Sequence, residues 1–341
     1  MKIDHGTIRK ILYINLAFIG DVILSTPTMR ALREKYPEAV IDMLVIPWAA
    51  QAAAGNPYVN HVYSYDKKGE HRNIKNLWQL IRKLRSENYD LAITANFALR
   101  GAIMAKIIGA RYRLGYDAQH AGVFLTHTVS SKRATVKHET ENQLDVIKPL
   151  GITTSDFSLA FSHSPVDVKN MYKKVNISAE QLIVVICPFG RHPLNSWQIQ
   201  GYVDVIKALS VFASCYLIGG KTEKEKLDDI NSKAGNCGQV LAGNLTIGEL
   251  AAFLAQSNLV ITVDTGPMHI AAAVGVPILA LFGRSDVRVW GPRATCDKIV
   301  RVDLDCAPCI IPRECEHHSC MKNIKSAMVI STALEMLKIE R

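Results

Sequence analysis

The feature that most constrains this chain is a rhythm. Short apolar runs alternate with helix-period segments, and the series is played twice. In the first half KILYINL (residues 10–16), VIDMLVI, HVYSY, YDLAITA and YRLGY read as strands. MRALREKY, NLWQLIRKLRSE and AIMAKIIGA fall between them as helices. In the second half QLIVVIC, SCYLIGG, QVLAG, LVITV and PILALFG alternate with IQGYVDVIKALSVF, EKEKLDDINSKAG, IGELAAFLAQS and an Ala-rich segment. A strand that returns to its sheet through a helix makes a parallel pair, so the expected class is α/β, with helices on both sheet faces. Two series imply two Rossmann-like domains, which also suits 341 residues, too many for one typical core.

Polar residues and Pro165 interrupt the rhythm between Gly151 and Glu180, so the expected domains are 1–165 and 166–321. The tail IKSAMVISTALEMLKI, with apolar Ile324, Ala327, Met328, Leu334 and Leu337, predicts an amphipathic helix in a closing segment 322–341. Ligands of doubly wound sheets sit outside the carboxyl ends of the strands, so two facing sheets predict a binding cleft between the domains.

The totals exclude several classes. With 48% hydrophobic and 21% charged residues the chain is globular in composition. No apolar run reaches the roughly 18–20 residues of a membrane-spanning helix. The start, MKIDHGTIRK, lacks the apolar core of a secretory signal, so a cytoplasmic location is expected. Lys and Arg exceed Asp and Glu by 40 − 31 = 9, which suits anionic ligands or an anionic membrane surface. The clusters SSKRATVK and KTEKEK read first as solvated faces, and no aromatics interleave them as in a nucleic-acid module.

Five stretches carry candidate chemistry. In NLAFIGDVILSTPTMRAL, a single glycine does not make a dinucleotide fingerprint. A helix begins either near Asp21 or at Thr26 with Pro27 in its first position, and Asp21 is either a helix-start cap or a carboxylate base. CPFGRHPLNSWQIQGY brings Arg191, His192, Asn195 and Ser196 to the end of a strand, ahead of a helix, a natural anion site. LIGGKTEKEK offers Glu223 and Glu225 to a ribose or base, although the helix dipole explains acids there equally well. In VDTGPMHIAAAVGVP, Asp264, Thr265, Gly266, Pro267 and Met268 lead into a helix whose first amides favour a phosphate, with His269 on the first turn to help neutralise it. Finally Cys306, Cys309, Cys315 and Cys320 are spaced C-x2-C-x5-C-x4-C. The first pair fits zinc and the second lacks the usual close spacing, so a reduced structural thiol cluster is favoured over a metal site. Cys187 and Cys215 lie in strand-like runs and are expected to be buried, inert thiols.

Together these stretches resemble glycosyltransferase family 9, the ADP-heptose:lipopolysaccharide heptosyltransferases. IGDVILSTPTMRALREKYPEAVIDML and VDTGPMHIAAAVGVPILALFG carry the resemblance, with HETENQLDVIKPLGI and the DCAPC tail adding to it. It implies the two-domain glycosyltransferase-B architecture, with an acceptor domain first, a nucleotide-sugar donor domain second, and a C-terminal helix that packs back on the first domain. It implies an inverting, metal-independent transfer of heptose from ADP-heptose to the lipopolysaccharide inner core. Asp21 would be the general base. Asp264, Thr265, Gly266, Pro267, Met268, His269, Arg191, Asn195, Ser196 and Glu223 would bind the donor, and Lys132, Arg133 and Lys137 the acceptor. The chain would then be a monomer at the cytoplasmic face of the inner membrane, with no resident cofactor. One position departs from the family pattern: Asn195 stands where members often have a phosphate-binding lysine, and Arg191 or His192 would compensate. Two alternatives stay open, a different sugar or nucleotide on the same fold and a non-catalytic nucleotide-sugar binding protein.

Overall fold

The computed structural model describes residues 2–132, 135–177, 181–294, 296–309 and 315–339. It divides into two units, Met1–Ala160 and Phe161–Arg341. Each unit is built on a six-stranded sheet whose paired strands all run parallel.

The first sheet contains β1 (Lys10–Asn15), β2 (Val40–Val45), β3 (His61–Ser64), β4 (Leu91–Thr94), β5 (Tyr112–Tyr116) and β6 (His127–Val129). Their order across the sheet is β3-β2-β1-β4-β5-β6. The second contains β7 (Leu182–Cys187), β8 (Ala213–Leu217), β9 (Gly238–Val240), β10 (Leu259–Val263), β11 (Ile278–Phe282) and β12 (Asp297–Arg301), in the order β12-β11-β10-β7-β8-β9. Numbered from the start of its own unit, each sheet has the doubly wound order 3-2-1-4-5-6. The strand order therefore reverses between β1 and β4 in one unit, and between β7 and β10 in the other. Loops leaving these strands open the crevices where ligands of such sheets bind.

The central strands are apolar because helices cover both of their faces. All four residues of β4 and all five of β10 are buried. Two strands went unread in the sequence, β6 and β12. Both are edge strands; β6 is three residues of mixed exposure, and β12 buries only Val300. An edge strand packs fewer neighbours, so its composition carries a weaker signal.

The proposed linker is not featureless. Pro165 opens the helix Pro165–Lys174, where its missing N–H does no harm, and Ser164 and Asp167 close a capping box at its start. This helix packs on Ile247–Leu254, and Lys174 Nζ binds both carboxylate oxygens of buried Glu249 at 2.8 and 2.7 Å. It is part of the second unit, which begins at Phe161. The tail forms the helix Ser326–Met336, whose buried Val329, Ala333 and Leu334 join the second unit's core alongside Tyr202 and Val205. No helix among the described residues is long and apolar enough to cross a membrane.

Candidate functional site

In the first unit, β1 ends at Asn15, at the reversal point. The chain then makes two helices in succession, Ile19–Leu24 and Thr26–Lys35, so both of the expected helix starts are used. Asp21 is the third residue of the first helix, and its Oδ2 accepts from the Phe18 amide at 3.2 Å. That is a helix-start cap, and it fixes where the half-buried carboxylate sits. The Asp21 carbonyl is held twice more, by Asn15 Nδ2 at 3.3 Å and Gln143 Nε2 at 3.0 Å. From the loop after β4, Asn96 Oδ1 accepts from the Leu16 amide at 2.9 Å, tying the two strand ends of the crevice together.

The second unit has a matching crevice between β7 and β10. The helix Gly266–Val274 starts directly after β10, with Thr265 at its cap, and Gly275 at φ +81° ends it in the left-handed region that glycine tolerates. Pro267 supplies no N–H, and the Met268 amide donates to the Thr265 carbonyl at 3.1 Å. Met268 is fully buried. His269 is buried on the same turn, while Asp264, Thr265, Gly266 and Pro267 are half-buried.

Asn195 does something its sequence did not reveal. Its Nδ2 donates to both the carbonyl and the carboxylate Oδ2 of Asp264, each at 3.2 Å. Ser285 Oγ, from the loop after β11, donates to the same carboxylate oxygen at 2.5 Å. Asp264 is thereby oriented by two neutral donors from two other loops. The approach is close: a Cβ on Gly190 would lie 2.8 Å from the Asp264 carbonyl, so only glycine lets the β7 loop come this near. No motif announced Ser285, which is one polar residue in a loop whose neighbours are set by the fold.

The remaining candidates sort by what they touch. His192 Nδ1 accepts from the Leu194 amide at 3.2 Å, which requires that nitrogen to be unprotonated. Of the two suggested cations in this loop, Arg191 is exposed and His192 is half-buried. Ser196 is half-buried, and its amide donates to the Pro193 carbonyl. Trp197 anchors the loop from below, its Nε1 donating to the Ile324 carbonyl at 3.1 Å and its ring edge-on to Tyr202. Glu223 Oε2 accepts from the Gly220 amide at 2.7 Å, the helix-start use that the dipole argument allowed. Lys226, unremarked in the sequence, lies 5.7 Å over the ring of Phe189 beside this loop. Lys132 is exposed and Lys137 half-buried in the first unit; Arg133 lies outside the described residues.

Among the described residues no group of three or more His, Cys, Asp or Glu side chains gathers as a metal site. Cys320 is buried, Cys309 and Cys315 are half-buried and Cys306 is exposed, all as free thiols. Burial, reinforced by the other tail thiols, pushes the Cys309 and Cys320 thiols up, while Arg284 pulls Cys309 back in part. The cluster is stitched to the loops that follow β7 and β11. The Cys309 amide donates to the Arg284 carbonyl at 2.8 Å, and His318 Nε2 pairs with the Leu194 carbonyl at 2.8 Å. Cys187 and Cys215 are buried, and burial pushes both thiols up to about 12.

Comparison with known proteins agrees with this fold. The profile of glycosyltransferase family 9 (heptosyltransferase) matches residues 77–319. Lipopolysaccharide heptosyltransferase 3 of Escherichia coli is 31% identical over 289 residues, 81% of this chain and 84% of that protein. Among solved structures, a family 9 glycosyltransferase from Veillonella parvula superposes with a TM-score of 0.85 at 23% identity, over 97% of this chain and 98% of the other. The E. coli ADP-heptose lipopolysaccharide heptosyltransferase II superposes with a TM-score of 0.81 at 20% identity, over 96% and 98%.

Proposed function

The chain belongs to glycosyltransferase family 9, the heptosyltransferases, and from that premise we propose that it transfers a heptose from ADP-heptose to the lipopolysaccharide inner core with inversion. Support comes first from the second unit. Asp264 is held by Asn195 and Ser285 next to the start of the Gly266–Val274 helix, at the reversal point of a doubly wound sheet. A helix start favours a diphosphate through its unpaired amides and its dipole. Thr265 and Gly266 receive the diphosphate, His269 on the first turn helps neutralise it, and Asp264 meets the sugar. As the bond from the anomeric carbon to the phosphate oxygen breaks, negative charge grows on the departing ADP. Donors fixed in advance stabilise that charge without reorganising, the role a divalent ion would otherwise fill, so the transfer is metal-independent.

Asp21 is the general base of this reading. It takes the proton of the acceptor hydroxyl as that oxygen attacks the anomeric carbon from the face opposite the leaving group, which inverts the configuration. Its cap with the Phe18 amide and the two bonds to its carbonyl supply the positioning that such a role needs. In this reading the enzyme works as a monomer at the cytoplasmic face of the inner membrane, where its acceptor is assembled.

A thermal-shift screen of nucleotide sugars tests the donor. ADP-heptose is expected to raise the melting temperature more than ADP-glucose, UDP-sugars or GDP-sugars at equal concentration. Equal or greater stabilisation by a UDP- or GDP-sugar would overturn the assignment.

A further inference from the structure

The helix Ile74–Ser86, IKNLWQLIRKLRS, connects β3 to β4 and gives only one side to the core, where Leu80, Ile81 and Leu84 are buried. At about 100° per residue the opposite side carries Lys75, Gln79, Arg82 and Ser86, all exposed. On the border between the two sides stand Ile74 and Trp78, one turn apart, 67% and 50% exposed. Single apolar side chains in water are ordinary. Two large ones side by side and bordered by cations mark a contact surface.

The charge around this pair has one sign. The helix holds Lys75, Arg82, Lys83 and Arg85 and no acid. Lys83 leans over the Tyr63 ring, 5.1 Å from its centroid, which leaves the other three beside the pair. Lys67, Lys68 and Arg72 precede the helix against Asp66 and Glu70, and Glu87 at its end is paired with Lys10 at 2.9 Å. The helix Leu99–Ile108, which packs against it, adds Arg100 and Lys106 and again no acid. Residues 1–160 hold 21 Lys and Arg against 14 Asp and Glu, so 7 of the chain's 9 surplus positive charges lie in the first unit. A merely solvated face explains the cations but not the exposed pair. A second copy would bring like charge to the same patch, which opposes self-pairing. Trp beside Lys and Arg suits lipid headgroups, where the indole takes the boundary between water and acyl chains and the cations meet phosphates.

We propose that this side of the helix Ile74–Ser86 docks the first unit on an anionic phospholipid bilayer. Trp78 and Ile74 enter the headgroup layer, and Lys75, Arg82 and Arg85 contact lipid phosphates. A helix joining two parallel strands runs back against them, so Ile74 and Trp78 lie toward the carboxyl end of the sheet, from which the Asp21 loop also leaves. Docking would thus bring that loop to acceptors carried on lipid. This link to catalysis rests on the transferase reading, whereas docking itself is measured without turnover.

Flotation of the full chain with vesicles tests the surface. Vesicles of phosphatidylethanolamine with about a quarter phosphatidylglycerol are expected to bind the wild type far better than phosphatidylcholine vesicles, and high salt to release it. Lys75→Gln and Arg82→Gln should each weaken binding about fivefold, and Gln79→Lys, on the same side, should strengthen it by a similar factor. Trp78→Ser, which changes no charge, should weaken it at least tenfold. Equal binding to the two kinds of vesicle, or unchanged binding in Trp78→Ser or in the Lys75→Gln/Arg82→Gln double variant, overturns the proposal. Self-association that Trp78→Ser abolishes, in a protein that ignores vesicles, overturns it in favour of a second copy. If the vesicle results hold while the protein transfers no heptose, the transferase reading fails and the docking surface stands.

Discussion

Asn195→Asp is the sharpest test of how the loops around Asp264 are built and of the donor site proposed there. The amide nitrogen at 3.2 Å from Asp264 Oδ2 becomes an oxygen, so a hydrogen bond to a charged acceptor is lost and a like charge takes its place. The lost bond costs about 1.5–3 kcal/mol. Two unit charges at that separation repel by about 5 kcal/mol at an effective dielectric constant of 20. The pair escapes by keeping one proton, so one of the two carboxyls is raised well above its usual range. The sign follows from that. The relaxed, singly protonated pair exists at low pH and is lost as pH rises through the raised value, so damage grows toward alkaline pH. Calorimetry with ADP-heptose from pH 5 to pH 8.5 reads this out for wild type, Asn195→Ala and Asn195→Asp. Asn195→Ala is expected to lose about tenfold in affinity at every pH, as one hydrogen bond implies. Asn195→Asp loses about a hundredfold or more near pH 8 and recovers toward the alanine variant near pH 5. If the two variants coincide across the range, Asn195 does not orient Asp264 and the argument is wrong.

The other expectations are brief. Asp21→Asn keeps an oxygen to accept from the Phe18 amide, so the fold survives while basicity is lost; turnover should fall at least a hundredfold with ADP-heptose affinity within a few-fold, and near-normal turnover would remove Asp21 as base. His269→Ala should weaken ADP binding about tenfold by calorimetry, and unchanged affinity would take His269 out of the diphosphate site. Glu249 is raised by burial but lowered more by Lys174 and the Thr246 amide, so its net position is below the usual 4.5. A depressed acid stabilises the fold above its unfolded value and stops doing so as pH falls through the folded one. Thermal melts of Glu249→Gln against wild type should therefore differ by about 1.5–3 kcal/mol at pH 7 and converge below pH 4.5; a gap that persists in acid would contradict the pairing.

The architecture was legible because ten of the strands are apolar runs between helix-period segments, and that rhythm is set by burial alone. The edge strands β6 and β12 were not, since half-exposed residues such as those of His127–Val129 carry little pattern. Pro165 misled in the way proline does. Read as an interruption, it is the first residue of a helix, and only the Ser164–Asp167 cap distinguishes the two meanings. The candidate site was visible where a motif lies on one loop, as in Asp264 to His269. It was hidden where the geometry depends on contacts between loops. Asn195 looked like a substitute for a missing lysine, yet its amide grips Asp264, and Ser285 joins it from 90 residues away.

The loop of residues 189–197 depends on partners made much later in the chain: Trp197 holds the Ile324 carbonyl and His318 holds the Leu194 carbonyl. On the ribosome this sets an order of events. The first unit can finish folding while the second is still being synthesised, but the loop beside Asp264 has no floor until residues 318–324 emerge. A chain cut before residue 318 would then keep the strands of both sheets and lose the floor of that loop.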